Sequence, residues 1–397
     1  MWSDRHVVLG VSGGIASYKS GVLVRRLTEA GARVDVILTA SAAEFVRPVL
    51  FEALSGRPVL TSLWEPGRAL DHIRLAREAD LVIVAPATAH LLARMAQGLA
   101  DDALTAVLLA RSGPVLVAPA MNDAMFAAPA TTRNLSLLRE RGVAIVGPVT
   151  GALAEGPSDL PGRMSEPDSI LHHAMRLLRA GGRLAGKQVI VTAGPTRESL
   201  DPVRIVTNRS SGKMGFRLAQ AAWYRGATVH LISGPSGEPA PEGVTLERVE
   251  TTQAMERAVT NALPQADVLI MAAAPADYRP AHPGSAKRPR QHGAMSVEFE
   301  PTDDILAATR DRRKPGALVV GFALETGDAI AKGRAKLERK ALDLIVVNDA
   351  MEQGAGFEAD TNRVTILGRE GAHWDLPLAS KASVAESILD RVEAALV

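Results

Sequence analysis

The chain has no cysteine among its 397 residues. Disulfides, thiolate metal sites and a cysteine nucleophile are therefore excluded within it. Aromatic residues are sparse, at 4%, and the strand-like segments are built from β-branched and aliphatic residues instead. Neither sign of charge dominates. Lys and Arg total 45 against 44 Asp and Glu, and a net charge of +1 gives no polyanion-coating surface. No apolar run reaches the roughly 18 residues that a membrane span requires. The opening Met-Trp-Ser-Asp-Arg-His-Val-Val-Leu-Gly sets charges before a short apolar segment with no long apolar core, so no secretory signal is expected. What is present, 47% hydrophobic and 22% charged residues, fits a globular enzyme, expected in the cytoplasm.

The length exceeds one ordinary core, so two domains are expected. Short apolar runs at 7–11, 34–38, 81–85, 115–118 and 144–146 read as buried strands. Segments 17–30 and 88–97 between them carry apolar residues at helical spacing. Residues 171–178 read as a closing helix. A second alternating series has strands at 189–192, 228–232, 268–272, 317–322 and 344–347, with helices at 215–225, 252–262 and 329–340. The fold class is α/β, with two doubly wound, Rossmann-like parallel-sheet domains: residues 1–180, a linker at 181–186, and residues 187–397. Ligands in such sheets sit at the carboxyl ends of the strands. Residues 280–293, rich in Pro, Gly and basic side chains, read as a mobile flap, and 384–397 as an amphipathic closing or contact helix.

Residues 193–216 are the most informative stretch. Glycines, hydroxyls, Asn208 and the cations Arg197, Arg204, Arg209 and Lys213 crowd one strand-to-helix connection. Such a loop holds a phosphorylated ligand, because its amides and the helix start favour negative charge. At the other end, Gly-Val-Ser-Gly-Gly-Ile-Ala over 10–16 follows the first strand and opens a helix. There the amides of Gly13 and Gly14 and the Ser12 hydroxyl can take a phosphate. Thr39 and Ser41 end the second strand facing the same crevice. With no GxGxxG pattern, a mononucleotide is favoured over a dinucleotide. His72 follows Asp71, just ahead of what reads as a strand, and a histidine there can titrate near neutral pH. Asn122 ends a strand between two methionines. Its amide can orient a substrate carboxylate while apolar walls desolvate it, and losing carbon dioxide removes the disfavoured charge. The other histidines show no ligand spacing and are expected to be dispersed.

Residues 10–16, 71–77, 85–89 and 119–125 resemble the flavin-dependent phosphopantothenoylcysteine decarboxylases. Residues 193–216, 271–279, 321–326, 336–340 and 347–349 resemble phosphopantothenate–cysteine ligases. This order on one chain is similar to the bifunctional bacterial family of coenzyme A biosynthesis.

For the first half the resemblance implies FMN, with its phosphate on the 10–16 turn near Thr39 and Ser41. His72 matches the family's active-site histidine, and Asn122 the residue holding the substrate carboxylate. Oxidation of the substrate thiol, loss of the carboxylate and return of the reducing equivalents would follow. The family also carries a loop cysteine that donates a proton. Here that loop is about one residue longer, and Glu155 stands in the cysteine's place. Either Glu155 or a bound water then protonates, or the decarboxylase half stalls.

For the second half the resemblance implies CTP as substrate, with Mg²⁺. Asn208 matches the asparagine that handles the acyl-cytidylate, with Arg204 beside it. Lys287 matches the flap lysine, followed here by Arg-Pro-Arg rather than further lysines. Met271, Ala272, Ala273, Asp277, Asp303, Asp304, Ile305, Leu306, Phe322, Lys336 and Lys340 match the nucleotide pocket. Lys336 and Lys340, four apart on a helix, can both reach one ligand. The resemblance further implies flavin-domain trimers and ligase-domain dimers, hence a dodecamer. Two other readings stand: a ligase with an impaired flavin half, and a phosphatase-binding regulator.

Overall fold

The structure is a computed structural model that describes residues 2–64, 66–179, 181–287, 294–349 and 359–396, without the side chain of residue 349. Residues 288–293 of the expected flap lie outside the described residues. The chain divides into two units, Met1–Arg179 and Ala180–Val397.

In the first unit, β1 (His6–Val11), β2 (Arg33–Leu38), β3 (Leu81–Ala87), β4 (Val115–Pro119) and β5 (Ala144–Ile145) form one sheet in the order β2-β1-β3-β4-β5. Every neighbouring pair is parallel. β1, β3 and β4 are buried along their whole length, which is why they read as continuous apolar runs rather than alternating ones. Helix Tyr18–Glu29 lies against Pro48–Ser55 and Pro167–Arg179. Asp71–Glu78, Ala89–Gln97, Ala103–Ala110 and Pro129–Glu140 form another layer, whose Leu75, Leu91, Leu104 and Leu138 pack on Val82, Val84 and Val117. Burying each such leucine stabilises by roughly 2 kcal/mol.

The second unit contains, in chain order, β6 (Gln188–Ala193), β7 (Arg197–Ser199), β8 (Ile205–Thr207), β9 (Thr228–Ser233), β10 (Thr245–Arg248), β11 (Val268–Met271), β12 (Tyr278–Pro280), β13 (Phe299–Pro301), β14 (Leu318–Glu325), β15 (Leu344–Asp349), β16 (Thr361–Gly368) and β17 (His373–Ser380). Its main sheet runs β10-β9-β6-β11-β14-β15-β16-β17. The first six are parallel, as expected, but β16 and β17 join antiparallel. β17 alternates apolar with polar side chains and β16 begins Thr-Asn-Arg, so neither shows the continuous run that marks the inner strands. Helices Lys213–Tyr224 and Lys381–Ala395 pack together on this sheet, and Arg225, almost wholly buried, binds Glu386, Asp390 and Glu393 of the latter at 2.6–2.8 Å. Residues 181–186 pack onto this unit: Leu184 is fully buried and Arg183 donates to the Leu396 carbonyl.

A buried ion cluster ties the amino-terminal edge of the first sheet. Asp35 accepts from His6 Nε2 at 2.6 Å and from Arg57 Nε at 2.8 Å. Burial alone would raise the Asp35 carboxyl, but the His6 and Arg57 contacts outweigh it and hold the group at about 2. A carboxyl depressed on folding stabilises fully above its unfolded value of 3.8, and that stabilisation is lost as pH falls through about 2. Asp35→Asn is expected to cost roughly 2 kcal/mol at neutral pH, with the difference shrinking below pH 4. Urea unfolding of both proteins across that pH range checks it.

Candidate flavin and nucleotide sites

The strand order of the first sheet reverses between β1 and β3, and a crevice opens where their carboxyl ends part. A cavity of about 640 Å³ lies there. Ser12, Gly13 and Gly14 line it from the end of β1, Thr39 and Ser41 from the end of β2, and Asn122 and Glu155 from farther along the chain. These expected residues are brought together.

Local geometry explains the residue types. A Cβ on Gly13 would stand within 2.7 Å of the Ser41 carbonyl oxygen, so only glycine fits where the two strand-end turns meet. The amides of Gly13 and Gly14 have no acceptor among the described residues. The Ser12 hydroxyl is not free in the same way. It donates to the Pro86 carbonyl at 2.8 Å and accepts from the Thr88 amide at 3.0 Å, pinning β1 to β3.

Asn122 precedes the short helix Asp123–Ala127 as its cap. Its Oδ1 accepts from the amides of Ala124 at 2.8 Å and Met125 at 3.4 Å. The cap thereby fixes which end of the amide faces the cavity, namely the Nδ2 donor. That Nδ2 donates to Glu155 Oε1. The loop bearing Glu155 is fastened at several points. Ser158 Oγ donates to Asp123 Oδ2 at 2.5 Å, and the amide of Val149 donates to the Arg163 carbonyl at 2.8 Å. At its base Lys19, 6% exposed, donates to Glu166 Oε1 at 2.8 Å and to the Met164 carbonyl at 3.3 Å. Arg163 reaches the same carboxylate at 2.6 Å. The Lys19 ammonium holds the Glu166 carboxyl below the usual carboxylate range.

His72 is not among the residues lining this cavity. The segment read as a strand after it is the helix Asp71–Glu78. Ile73, Leu75 and Arg74 mimic a two-residue alternation, but Arg74 pairs back to Asp71 and forward to Glu78, as helical neighbours do. Asp71 binds Arg68 and Arg74. The Nδ1 of His72 is buried without a partner among the described residues.

Several lining residues are not evident from the sequence. Thr88 caps the helix Ala89–Gln97, and Ala89, His90 and Leu91 follow it into the cavity wall. Arg94, 8% exposed, binds Asp102 at 2.7 Å, and also Asp101. Lys19 does carry a usable signal: it stands four residues before Leu23 and eight before Leu27 on the buried stripe of its helix.

In the second unit, the register pairs Met271 with Gly321 and places Phe322 next along β14. The Ala273 amide donates to Thr192 Oγ1 at 3.1 Å. The β12–β13 hairpin then returns the chain, so that the Thr302 amide donates to the Asp277 carbonyl at 2.9 Å, and Asp303–Leu306 follow. Lys340 binds Asp304 at 2.8 Å. Lys336 instead binds Glu325, at the end of β14, at 2.5 Å, so the two lysines engage separate carboxylates. Asn208 Nδ2 donates to the carbonyls of Ala274 at 3.1 Å and Pro275 at 2.9 Å, which leaves its Oδ1 outward. Lys287 is exposed on the β12–β13 connection.

Three of the four cations of residues 193–216 go to separate places. Arg204 is bound by the buried carboxylate of Asp201, Lys213 pairs with Asp360 at 2.6 Å, and Arg197 lines a separate cavity of about 930 Å³ with Ser210, Ser211 and Arg248. Among the described residues no group of three or more His, Asp or Glu could hold a metal ion. No helix among them is long and apolar enough to cross a membrane.

Residues 1–179 match the family described as Flavoprotein, and residues 184–396 the family described as DNA/pantothenate metabolism flavoprotein C-terminal domain. The class is thus a flavoprotein unit joined to a pantothenate-metabolism unit. The protein named Coenzyme A biosynthesis bifunctional protein CoaBC from Vibrio cholerae is 45% identical over 391 residues, covering 98% of this chain and 97% of that one. Its Bacillus subtilis namesake is 44% identical over 399 residues, covering 99% and 98%. A solved structure described as the FMN binding protein AtHal3 is 34% identical, covers 42% of this chain and 92% of that one, and has a TM-score of 0.38. The chain belongs to the family of bifunctional coenzyme A biosynthesis proteins, with both the ligase and the decarboxylase activity. The match along both halves favours retained decarboxylation over a ligase-only chain or a regulator.

The Gly13–Ser41 approach gives a direct check on the flavin site. Gly13→Ala is expected to weaken flavin retention roughly tenfold or more, about 1.4 kcal/mol, with folding preserved. Flavin absorbance remaining after gel filtration, alongside circular dichroism, measures both.

Proposed function

We propose that the second unit makes phosphopantothenoylcysteine and the first decarboxylates it to phosphopantetheine. The observation that carries the reading is the meeting, in one cavity, of the Gly13–Gly14 turn with the outward Nδ2 of Asn122. The turn fits a flavin phosphate, because its amides are unengaged and no side chain intrudes. Asn122 fits a carboxylate, because its cap leaves only a donor facing inward.

Bound there, FMN supplies the reversible two-electron oxidation of the substrate's thiol-bearing carbon that lets the carboxylate leave. Asn122 orients that carboxylate, and Met121 and Met125 wall the cavity around it. Glu155, on the loop over Asn122, donates the proton that replaces carbon dioxide. Lys19 and Glu166 hold the base of that loop. Copies associate through an apolar surface formed by Ile15, in the short turn before helix Tyr18–Glu29, Tyr18 and Val22 of that helix, and Phe45, Val49 and Leu50, all exposed in the single chain. Ile15 and Tyr18 also border the cavity, so this surface and the flavin site are continuous. His72 then serves the cavity of a neighbouring copy in a trimer. Dimers of the second unit use the outer edge of its sheet at β17, and the two contacts together build a dodecamer.

In the second unit the phosphopantothenate carboxylate attacks the α-phosphorus of CTP, and pyrophosphate leaves. The amine of cysteine then displaces CMP from the acyl-cytidylate. Such chemistry is mainly positioning and charge neutralisation. Asn208, fixed by its Nδ2, presents Oδ1 as an acceptor to the intermediate. Met271–Ala273, Asp277, Asp303–Leu306 and Phe322 form the nucleotide pocket. Lys336, Lys340 and the flap Lys287 meet the triphosphate, with Mg²⁺ carried in on it. Glycines and hydroxyls of residues 193–216 hold a phosphorylated end. Arg204 holds the hairpin beneath Asn208 through Asp201. The enzyme works in the cytoplasm.

Two variants separate the halves. Asn208→Asp keeps an outward oxygen but loses the donor to residues 274 and 275, and is expected to abolish CTP-dependent pyrophosphate release while leaving decarboxylation intact. His72→Asn is expected to do the reverse, read as carbon dioxide released from phosphopantothenoylcysteine. Loss of both activities in either variant would overturn the assignment of independent sites.

A further inference from the structure

Glu155 places a carboxylate on the one amide that the reading above gives to the substrate's carboxylate. Asn122 Oδ1 is turned to the helix cap, so Nδ2 is the atom it offers to the cavity, and an incoming carboxylate must share that NH2 with Glu155 or take its place. The loop keeps Glu155 close even when displaced, since Ser158–Asp123, Val149–Arg163 and Lys19–Glu166 fasten it on both sides. Two carboxylates confined to one site cannot both stay ionised without large cost.

The other charged groups facing the cavity are already committed. Lys19 and Arg163 share Glu166, and Arg94 binds Asp101 and Asp102. His90 and Tyr18 are the remaining titratable groups in the lining. Glu155 is the carboxylate whose partner among the described residues is a neutral amide, and it is the one that the incoming charge meets.

We propose that the substrate's carboxylate takes Glu155's place on Asn122 Nδ2, and that Glu155 binds a proton as it yields. The substrate thereby loads the acid that completes its own decarboxylation. This rests on the reading of Asn122 as the carboxylate grip. Atoms and charge balance: substrate carboxylate and neutral Glu155 become carbon dioxide, a new C–H bond and ionised Glu155. The electron pair of the broken C–C bond ends in the C–H bond, and the flavin's two electrons are taken and returned. The resting contact is then restored for the next turnover.

The test counts protons on binding rather than turnover. The ligand is phosphopantothenoylserine, which keeps the carboxylate but has no thiol to oxidise. Calorimetric titration of the flavin-loaded full chain at pH 7, in buffers of different ionisation enthalpy, is expected to show uptake of about one proton per site. The analogue with ethanolamine in place of serine, which lacks the carboxylate, is expected to show none. Glu155→Gln should bind the serine ligand with no uptake, since an amide side chain at that position can rest on Asn122 without charge. Above neutrality the wild-type affinity should fall by about tenfold per pH unit, and that of the Glu155→Gln variant should not. No uptake in the wild type, or equal uptake in Glu155→Gln, overturns the proposal, the latter pointing to His90. Asn122→Ala tests the underlying reading separately: unweakened binding of the serine ligand there would remove the carboxylate grip itself.

Discussion

Parallel strands share one direction, and that constraint organises both units. Every carboxyl end in the first sheet opens on one edge, so residues as distant in sequence as Gly13, Ser41, Thr88 and Asn122 meet there. Where the order reverses between β1 and β3, the edge must part, and the Ser12 hydroxyl bridges the two sides to Pro86 and Thr88. The glycine turn survives beside it only because nothing larger than hydrogen fits against Ser41. The same logic brings Met271, Asp277 and Phe322 to one edge of the second sheet, six of whose eight strands are parallel.

At each edge an asparagine is set by what its amide already does. Asn122 is held by its oxygen and offers a donor; Asn208 is held by its nitrogen and offers an acceptor. The residue type is the same and the chemistry opposite. The difference comes from neighbouring backbone: a helix start with unsatisfied amides in one case, a strand-end loop with unsatisfied carbonyls in the other. An aspartate could imitate only one end of either side chain.

Continuous β-branched runs make the inner strands legible, because strands buried on both faces have no polar interruptions. The outermost strand, β17, alternates and sits half in solvent, and β16 opens on Thr-Asn-Arg, so the pattern of this pair is weak. The helix that begins at Asp71 reads as a strand because Ile-Arg-Leu imitates alternation over too few residues to reveal a turn. Gly13, Gly14, Thr39, Ser41 and Asn122 can be placed from local strand-to-helix grammar. The apparent convergence of Arg204 and Lys213 cannot be tested that way, since Lys213 meets its partner Asp360 only through the fold, 147 residues on. Cavity-facing Arg94 is hidden for a related reason: a buried charge is recognisable once its carboxylates, Asp101 and Asp102, are known, and those lie beyond its own helix.

The loop reaches Asn122 through a carboxyl group, in a chain without a single thiol. Sulfenic acid formation, glutathione capping and alkylation by soft electrophiles all require a thiolate. None of these reactions is open at this position. Thiol-seeking reagents therefore find no thiolate to capture in this unit.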